Sequence, residues 1–241
     1  MQTKKNFTYP IIEQLQRALI VSCQASLGEP LASPEHIQAL ALSAINGGAA
    51  GLRLEGIENI KAVRAVTKLP IIGLSKAKTV KESEKLNKVY ITASFAEAQD
   101  LANAGCDIIA IDGTGRPRAD NLSLEQTIGH IHQQLSKAVL ADISTVEEGI
   151  NAQKYGANLV STTLYGYTKE TELPPEQGPG LELLKELVQR LEIPVILEGR
   201  VWYPDEVKKA FTYGAYAVAV GSAITRPELI TKRFVQAIPK S

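Results

Sequence analysis

The sequence lacks the features that mark secreted, membrane-spanning or nucleic-acid-binding proteins. It has only two cysteines, Cys23 and Cys106, in 241 residues, which is too few for a disulfide framework and fits a reducing compartment. We expect both in the core. Neither charge is in excess, because 26 basic side chains balance 26 acidic ones, so no nucleic acid partner is expected. Residues 11–19 are too short and too mixed for a signal peptide or a membrane span. We therefore expect a cytoplasmic protein with small-molecule partners and no membrane contact.

Two further absences narrow the chemistry. No group of histidine, cysteine or carboxylate residues has the spacing of a metal site, and His36, His130 and His132 all fall in segments predicted to be helical. No glycine-rich dinucleotide fingerprint follows the first predicted strand, where an open nucleotide-binding sheet would need one. The sequence therefore indicates neither a metal ion nor a dinucleotide cofactor.

What the sequence does contain is a repeated unit, in which a helix ends at a glycine and a buried strand follows at once. The glycines are Gly48, Gly105, Gly156 and Gly214. Glycine readily takes the left-handed conformation that ends a helix, and an apolar run follows each of these positions. Two more predicted strands follow Pro70 and Pro194, because proline prevents a helix from continuing.

The predicted helix starts agree with this alternation. Residues 94–97 and 144–147 have the capping-box pattern, in which a hydroxyl and a carboxylate satisfy the free amides of the first helical turn. Ser33 followed by Pro34 places a proline at the first position of another helix. Apolar strands that alternate with helices indicate a parallel sheet covered by helices.

The number of strands favours a closed barrel. The candidate strands end near Cys23, Leu54, Ser75, Thr92, Asp112, Ile143, Thr163, Glu198 and Val220, one more than the eight that a barrel needs. The weakest is the strand at residues 89–92, because the lysine-rich run before it predicts no convincing helix. We interpret residues 77–92 as an excursion after the third strand and residues 94–104 as the third helix.

The predicted fold is thus an α/β protein, a single-domain (β/α)8 TIM barrel over residues 1–241. A helix at about residues 10–18 is expected before the first strand. Residues 172–180 are rich in proline and glycine, and we interpret them as part of a long loop after the sixth strand, since no linker interrupts the alternation.

Polar residues collect at the predicted carboxyl ends of the strands, which form the active face of such a barrel. They are Gln24, Arg53, Lys76, Asp112, Asp142, Thr162, Thr163, Glu198 and Arg200. Such convergence is hard to explain by solubility, so we expect the functional site at this face.

Glycines after the last two strands predict a phosphate site, which makes the barrel one of the phosphate-binding type. Gly221 and Ser222 open a short helix after the eighth strand and Gly199 follows the seventh, and backbone amides there can face an anion. In the alternative interpretation, Gly221 permits a turn and Ser222 caps a helix. Arg226 could neutralise the anion or lie on the surface.

Lys76 and Glu198 are the candidates for chemistry. Lys76 ends an apolar run, and a lysine that loses hydration in a closed site has a lowered pKa, which permits proton transfer or Schiff-base formation. The alternative is a lysine that extends to solvent at the rim. Asp112 could be a structural ion-pair residue or a substrate contact, and Asp142 could orient a side chain or touch substrate.

Seven segments together resemble one enzyme family. They are SCQA (22–25), GLRLEG (51–56), PIIGLSK (70–76), ADIST (141–145), STTLYGYT (161–168), EGR (198–200) and VGSAITR (220–226). In this combination and order the sequence resembles the N-acetylmannosamine-6-phosphate 2-epimerases, over about residues 19–230.

The resemblance implies interconversion of N-acetylmannosamine 6-phosphate and N-acetylglucosamine 6-phosphate, by proton removal and return at C2, without an organic cofactor. It implies that Lys76 and Glu198 are catalytic. Substrate contacts would be Gln24, Arg53, Asp142 and Arg226, and phosphate contacts would be Gly199, Gly221 and Ser222. A homodimer is also implied.

The sequence departs from the family pattern after Lys76. A basic and an acidic residue often follow the catalytic lysine in the family, whereas residues 77–88 here form a lysine- and glutamate-rich insertion. Two other functions remain open: a sugar-phosphate aldolase in which Lys76 forms a Schiff base, and a non-catalytic sugar-phosphate sensor.

Overall fold

The structure, a computed structural model, describes residues 8–25, 28–77, 80, 82–174 and 177–239. Within these residues the chain forms eight strands. They are β1 (Ala18–Cys23), β2 (Gly51–Glu55), β3 (Ile71–Leu74), β4 (Ile108–Asp112), β5 (Ala138–Asp142), β6 (Leu159–Ser161), β7 (Val195–Glu198) and β8 (Ala217–Val220). Each strand pairs in parallel with the next, and β8 pairs with β1. The sheet therefore closes into the predicted (β/α)8 barrel.

Nine α-helices lie in the same described part of the chain. They are α1 (Pro34–Asn46), α2 (Ile57–Arg64), α3 (Phe95–Ala104), α4 (Leu124–His130), α5 (Val146–Tyr155), α6 (Leu181–Arg190), α7 (Pro204–Thr212), α8 (Ser222–Thr225) and α9 (Pro227–Gln236). A π-helical turn, Ile131–Leu135, continues α4. No helix in these described ranges combines the length and the apolar character needed to cross a bilayer.

The core has two parts, because the strands are buried on both faces. An outer layer between the strands and the helices includes both cysteines, which are buried and unpaired as expected. An inner layer fills the barrel and includes Ile20, Ile72 and Ile196. The interior of the barrel is therefore packed with side chains and is not a channel.

The excursion after β3 is confirmed. Residues 89–92 do not form a barrel strand, and Ile91 makes only an isolated antiparallel bridge with Lys76. Helix α3 then begins after Ser94 as predicted, with both hydrogen bonds of the capping box to Glu97.

Two details predicted from the sequence, the bounds of the first helix and the position of the second capping box, are wrong by one to three residues. The helix expected at about residues 10–18 is a 3-10 helix, Pro10–Leu15, because Arg17 takes a left-handed backbone (φ 56°) and Ala18 already starts β1. The second capping box lies one residue later, between Thr145 and Glu148. Its carboxylate also accepts from the Ser144 amide and hydroxyl, so both hydroxyl residues serve the same helix end.

Candidate active site

A cavity of about 790 Å³ opens at the carboxyl ends of the strands. Its wall contains most of the site residues predicted from the sequence: Gln24, Arg53, Lys76, Glu198, Gly199, Gly221, Ser222 and Arg226. Asp142 does not line this cavity, and it lies fully buried at the end of β5. The structure therefore brings eight of the nine predicted positions to one surface and places the ninth next to it.

Arg53 connects Asp142 with Glu198. Its Nη1 donates to Asp142 Oδ1 (3.0 Å), and its Nη2 donates to Asp142 Oδ2 (2.6 Å). Nη1 also lies 3.1 Å from Glu198 Oε2. The guanidinium group is 1 % exposed, so the two carboxylates share one buried cation.

Two hydroxyl groups complete this network. Thr163 Oγ1 donates to Asp142 Oδ1 (2.8 Å), and Ser161 Oγ donates to Glu198 Oε2 (3.4 Å). The two hydroxyls also contact each other at 2.8 Å. Removal of either charged partner from a buried pair costs about 3–5 kcal/mol, so Asp142 holds Arg53 in place whatever else it does.

The pKa of Glu198 is raised, first because the carboxyl group is buried and then because Asp142 adds a second negative charge nearby. Arg53 opposes this shift. However, both terminal nitrogens of the Arg53 guanidinium donate to Asp142. Arg53 therefore offsets only in part the rise in pKa that burial causes at Glu198. Glu198 therefore holds a proton at a higher pH than an ordinary glutamate does.

The pKa of Lys76 is lowered, first because the surrounding protein excludes water from the amine. Its side chain is open to the cavity, so the amine is enclosed at the sides and accessible from the cavity. The cations Arg53, Lys85 and Arg226 lower the pKa further, and Glu55 opposes them. A larger share of Lys76 is therefore neutral near pH 7 than of an ordinary lysine.

The loops after β7 and β8, where the sequence predicts a phosphate site, both line the cavity. Gly199 has a left-handed backbone (φ 97°), which residues with a Cβ rarely adopt. Gly221 precedes α8, and a Cβ on it would lie 3.4 Å from Cβ of Ser22. Thr225 at the end of α8 donates to the Ser22 carbonyl oxygen (2.8 Å), which ties this short helix to β1.

Arg226 lies beside this pair of loops at the cavity mouth. Its Nη2 donates to Glu29 Oε1 (2.5 Å) and to Glu228 Oε1 (3.0 Å). The side chain is 23 % exposed, so it is neither buried nor a free surface residue. Gln24, which follows the neighbouring strand β1, donates to the Ser22 hydroxyl (2.8 Å).

The sequence reasoning missed the residues that cover the cavity. The excursion after β3 contributes Lys85, Leu86, Tyr90 and Ile91, and the loop after β6 contributes Gly166, Tyr167, Glu172 and Leu173. Neither segment has the periodicity of a helix or a strand, so nothing in the sequence indicated which side chains turn inward. Residues 77–92 were interpreted only as an excursion after the third strand.

Arg200 fixes the loop after β6. Its guanidinium donates to the carbonyl oxygens of Gly166 (3.1 Å), Leu173 (3.2 Å) and Pro174 (3.0 Å), and it lies 4.7 Å from the ring centre of Tyr167. A Cβ on Gly166 would come within 2.6 Å of the Arg200 Nη2 atom. Gly166 also has a left-handed backbone (φ 84°), so a side chain at this position would be strained and would displace the Arg200 guanidinium.

No group of three or more histidine, cysteine or carboxylate side chains in the described ranges is placed to hold a metal ion. Asp112 is fully buried and pairs with Arg116 (2.7 Å), and neither Asp112 nor any histidine lines the cavity. Of the two possibilities for Asp112, the structure favours the ion pair.

The fold and the site define a class: a (β/α)8-barrel enzyme whose lysine and glutamate face one cavity at the carboxyl ends of the strands. A family model described as "Putative N-acetylmannosamine-6-phosphate epimerase" matches residues 37–240. The chain therefore belongs to the N-acetylmannosamine-6-phosphate epimerase family.

Individual relatives match along almost the whole chain. A protein of Clostridioides difficile is 44 % identical over 228 residues, which cover 95 % of this chain and 99 % of that one. A protein of Cutibacterium acnes is 40 % identical over 234 residues, with 96 % and 98 % covered. Both carry the name "Putative N-acetylmannosamine-6-phosphate 2-epimerase".

Solved structures agree with the fold. The N-acetylmannosamine-6-phosphate 2-epimerase from Clostridium perfringens superimposes with a TM-score of 0.88 at 40 % identity, with 99 % of this chain and 100 % of that one covered. The thiamine phosphate pyrophosphorylase from Pyrococcus furiosus has a TM-score of 0.59 at 16 % identity, over 95 % and 100 % of the chains, which shows a shared fold alone.

Proposed function

We propose that this chain interconverts N-acetylmannosamine 6-phosphate and N-acetylglucosamine 6-phosphate, in the catabolism of amino sugars. The observation that carries the proposal is that Lys76 and Glu198 face one cavity, with their pKa values shifted towards the neutral forms. Membership of the family supports the same substrate pair.

The chemistry follows from the position of C2. In the open-chain sugar, C2 lies next to the aldehyde, so its proton can leave to give an enolate and return on the other face. Lys76 is the base, because its lowered pKa leaves a larger neutral fraction to accept that proton. Glu198 polarises the sugar or assists ring opening, because its raised pKa lets it carry a proton to donate.

Four other residues bind the sugar or position the groups that do. Gln24 and Arg53 reach the substrate from the cavity wall. Asp142 acts through Arg53, since both of its carboxylate oxygens bond to that guanidinium. Arg226 adds positive charge beside the phosphate.

The phosphate itself is bound by amides of Gly199, Gly221 and Ser222. The left-handed backbone of Gly199 and the absence of a side chain at Gly221 allow phosphate oxygens to approach the main chain. This arrangement holds the far end of the sugar and so positions C2 between the lysine and the glutamate.

Three statements about the whole molecule belong to the proposal. The chain is one domain, because the pairing of β1 with β8 closes a single barrel. It is a homodimer, supported by the exposed apolar face of α9, where Phe234 is 75 % exposed. It resides in the cytoplasm, an expectation supported by two cysteines that are buried and unpaired.

The test is an assay with N-acetylmannosamine 6-phosphate in deuterated water, followed by NMR of the product. We expect N-acetylglucosamine 6-phosphate that carries deuterium at C2, because the enolate exchanges its proton with groups that solvent reaches. Absence of conversion would contradict the proposed function. Product that keeps the original hydrogen would contradict the open proton transfer.

A further inference from the structure

The excursion after β3 forms one side of the cavity next to Lys76. Ile91 pairs with Lys76 across an antiparallel bridge, the Ala77 amide donates to the Tyr90 carbonyl oxygen (2.9 Å), and the Thr92 amide donates to the Ser75 carbonyl oxygen (2.9 Å). Directly opposite residues of an antiparallel pair project to the same face. Ile91 therefore lines the cavity beside the catalytic lysine, and Tyr90 precedes it.

Buried contacts hold this wall in place. Arg116 Nη1 donates to the Lys85 carbonyl oxygen (2.5 Å), and its guanidinium lies 5.8 Å from the ring centre of Tyr90. Arg116 is itself fixed by the fully buried carboxylate of Asp112. The phenol ring is thus anchored to the end of β4 through an ion pair.

The Tyr90 hydroxyl has no hydrogen bond to any residue that the structure describes, although Tyr90 lines the cavity and is only partly exposed. Burial raises the pKa of Tyr90, and the Asp112 carboxylate raises it further. The phenol therefore keeps its proton and can donate a hydrogen bond to a bound molecule.

The substrate must place one particular group here. Its phosphate is directed to the loops after β7 and β8, and C2 must lie between Lys76 and Glu198. The acetamido group is attached to C2, so it lies beside those two residues and away from the phosphate. The lining of the same cavity includes Tyr90 and the apolar residues Leu74, Leu86 and Ile91.

We propose that Tyr90, Leu86 and Ile91 form the subsite for the N-acyl group, and that the Tyr90 hydroxyl donates a hydrogen bond to its carbonyl oxygen. Leu86 and Ile91 cover the methyl group of the N-acyl group, and removal of this methyl group from water favours binding. The inference rests on the proposed function and extends it, because it assigns Tyr90 as the residue that distinguishes a 2-acylamino sugar from a 2-hydroxy sugar.

The first test compares two ligands in Tyr90→Phe. We expect the KM for N-acetylmannosamine 6-phosphate to rise about threefold to tenfold, as for loss of one hydrogen bond between neutral groups. The inhibition constant of mannose 6-phosphate, which has a hydroxyl group in place of the acetamido group, should stay unchanged. General damage to the cavity would weaken both ligands alike.

Tyr216→Phe is the matched control. The Tyr216 hydroxyl donates to the Ile12 carbonyl oxygen (3.1 Å), next to the start of β8 and so at the opposite end of the barrel. The same atom is removed there, and we expect unchanged kinetic constants for both ligands.

A second variant tests the apolar part. Leu86→Ala should raise the kcat/KM for an N-butanoyl substrate relative to the N-acetyl substrate, because it makes room for the longer chain. Equal effects of Tyr90→Phe on both ligands, or no effect on either, would overturn the subsite. A wild-type protein that does not epimerise N-acetylmannosamine 6-phosphate would overturn the proposed function. A wild-type protein that epimerises, with either of these results for Tyr90→Phe, would overturn the subsite alone. The two failures are therefore distinguishable.

Discussion

At the scale of single residues, the pKa values of Lys76 and Glu198 are shifted in opposite directions by the same cause, which is burial. Burial disfavours charge, so it lowers the pKa of the amine and raises the pKa of the carboxyl group. Both residues thus move towards their neutral forms near pH 7. An ordinary lysine is almost fully charged at that pH and an ordinary glutamate almost fully ionised, so neither would suit the proton transfer assigned to it.

Substitution of either residue should remove most of the activity. We expect Lys76→Ala and Glu198→Ala each to lower kcat by about a hundredfold or more, as for loss of an acid or base group. Lys88→Ala is the control, because that lysine is exposed and pairs only with Glu84 on the described surface. Turnover is measured by NMR of the two sugar phosphates.

Borohydride separates the epimerase from the aldolase alternative, which the loss of activity cannot do. A Schiff-base enzyme forms an imine that borohydride reduces to a stable adduct, whereas a lysine that acts only as a base forms no such bond. We expect an unchanged protein mass after treatment with N-acetylmannosamine 6-phosphate. A sugar-sized increase at Lys76 would favour the aldolase.

Individual site residues were predictable to the extent that each stands at the end of a predicted strand. Lys76 and Glu198 follow apolar runs, so the sequence placed them on the open end of the barrel. The bonds from Arg53 to Asp142 and Glu198 were not predictable, because β2, β5 and β7 are not neighbours in the sheet. Which side chains meet across a barrel depends on strand tilt and register, neither of which a single sequence states.

At the scale of elements, the glycine-ended helices and buried strands were predictable because a local signal marks each boundary. Gly105 and Gly156 both cap their helices in the left-handed conformation. The covering loops were not predictable, because Tyr90 and Arg200 owe their positions to contacts with distant parts of the chain. The strands and helices of the barrel could therefore be predicted from local sequence patterns, whereas the loops that line the cavity depend on tertiary contacts.

The loops after β7 and β8 carry a prediction about the substrate. If amides of Gly199, Gly221 and Ser222 hold the phosphate, unphosphorylated N-acetylmannosamine loses the binding energy that positions C2. We expect its kcat/KM to be lower by at least about a hundredfold than that of the 6-phosphate. Comparable values for the two sugars, measured in the same assay, would remove the phosphate site.

At the scale of the whole molecule, helix α9 packs only loosely against the rest of the barrel. In the part of the chain that the structure describes, none of its residues is buried, and Phe234, Val235 and Ile238 are exposed in its last turn or just beyond. Contiguous apolar residues on a surface mark interaction sites. A second copy of the chain is the partner that the proposed homodimer supplies.

Sedimentation equilibrium checks this arrangement. We expect the wild-type protein to sediment as a dimer and Phe234→Glu to shift it towards monomer, because the charge would be buried at the interface. Val66→Glu, at an exposed apolar position beyond α2, should leave the association unchanged. A wild-type monomer at every concentration would contradict the homodimer.

Gly199 and Arg200 are consecutive residues, and both have a left-handed backbone. In the proposed function the first offers its amide to the phosphate, and the second clamps the loop after β6 through three carbonyl oxygens. A shift of one residue must therefore displace the other, because only one peptide bond separates them. Phosphate binding in the proposed function and the position of the loop after β6 therefore depend on the backbone of the same two adjacent residues.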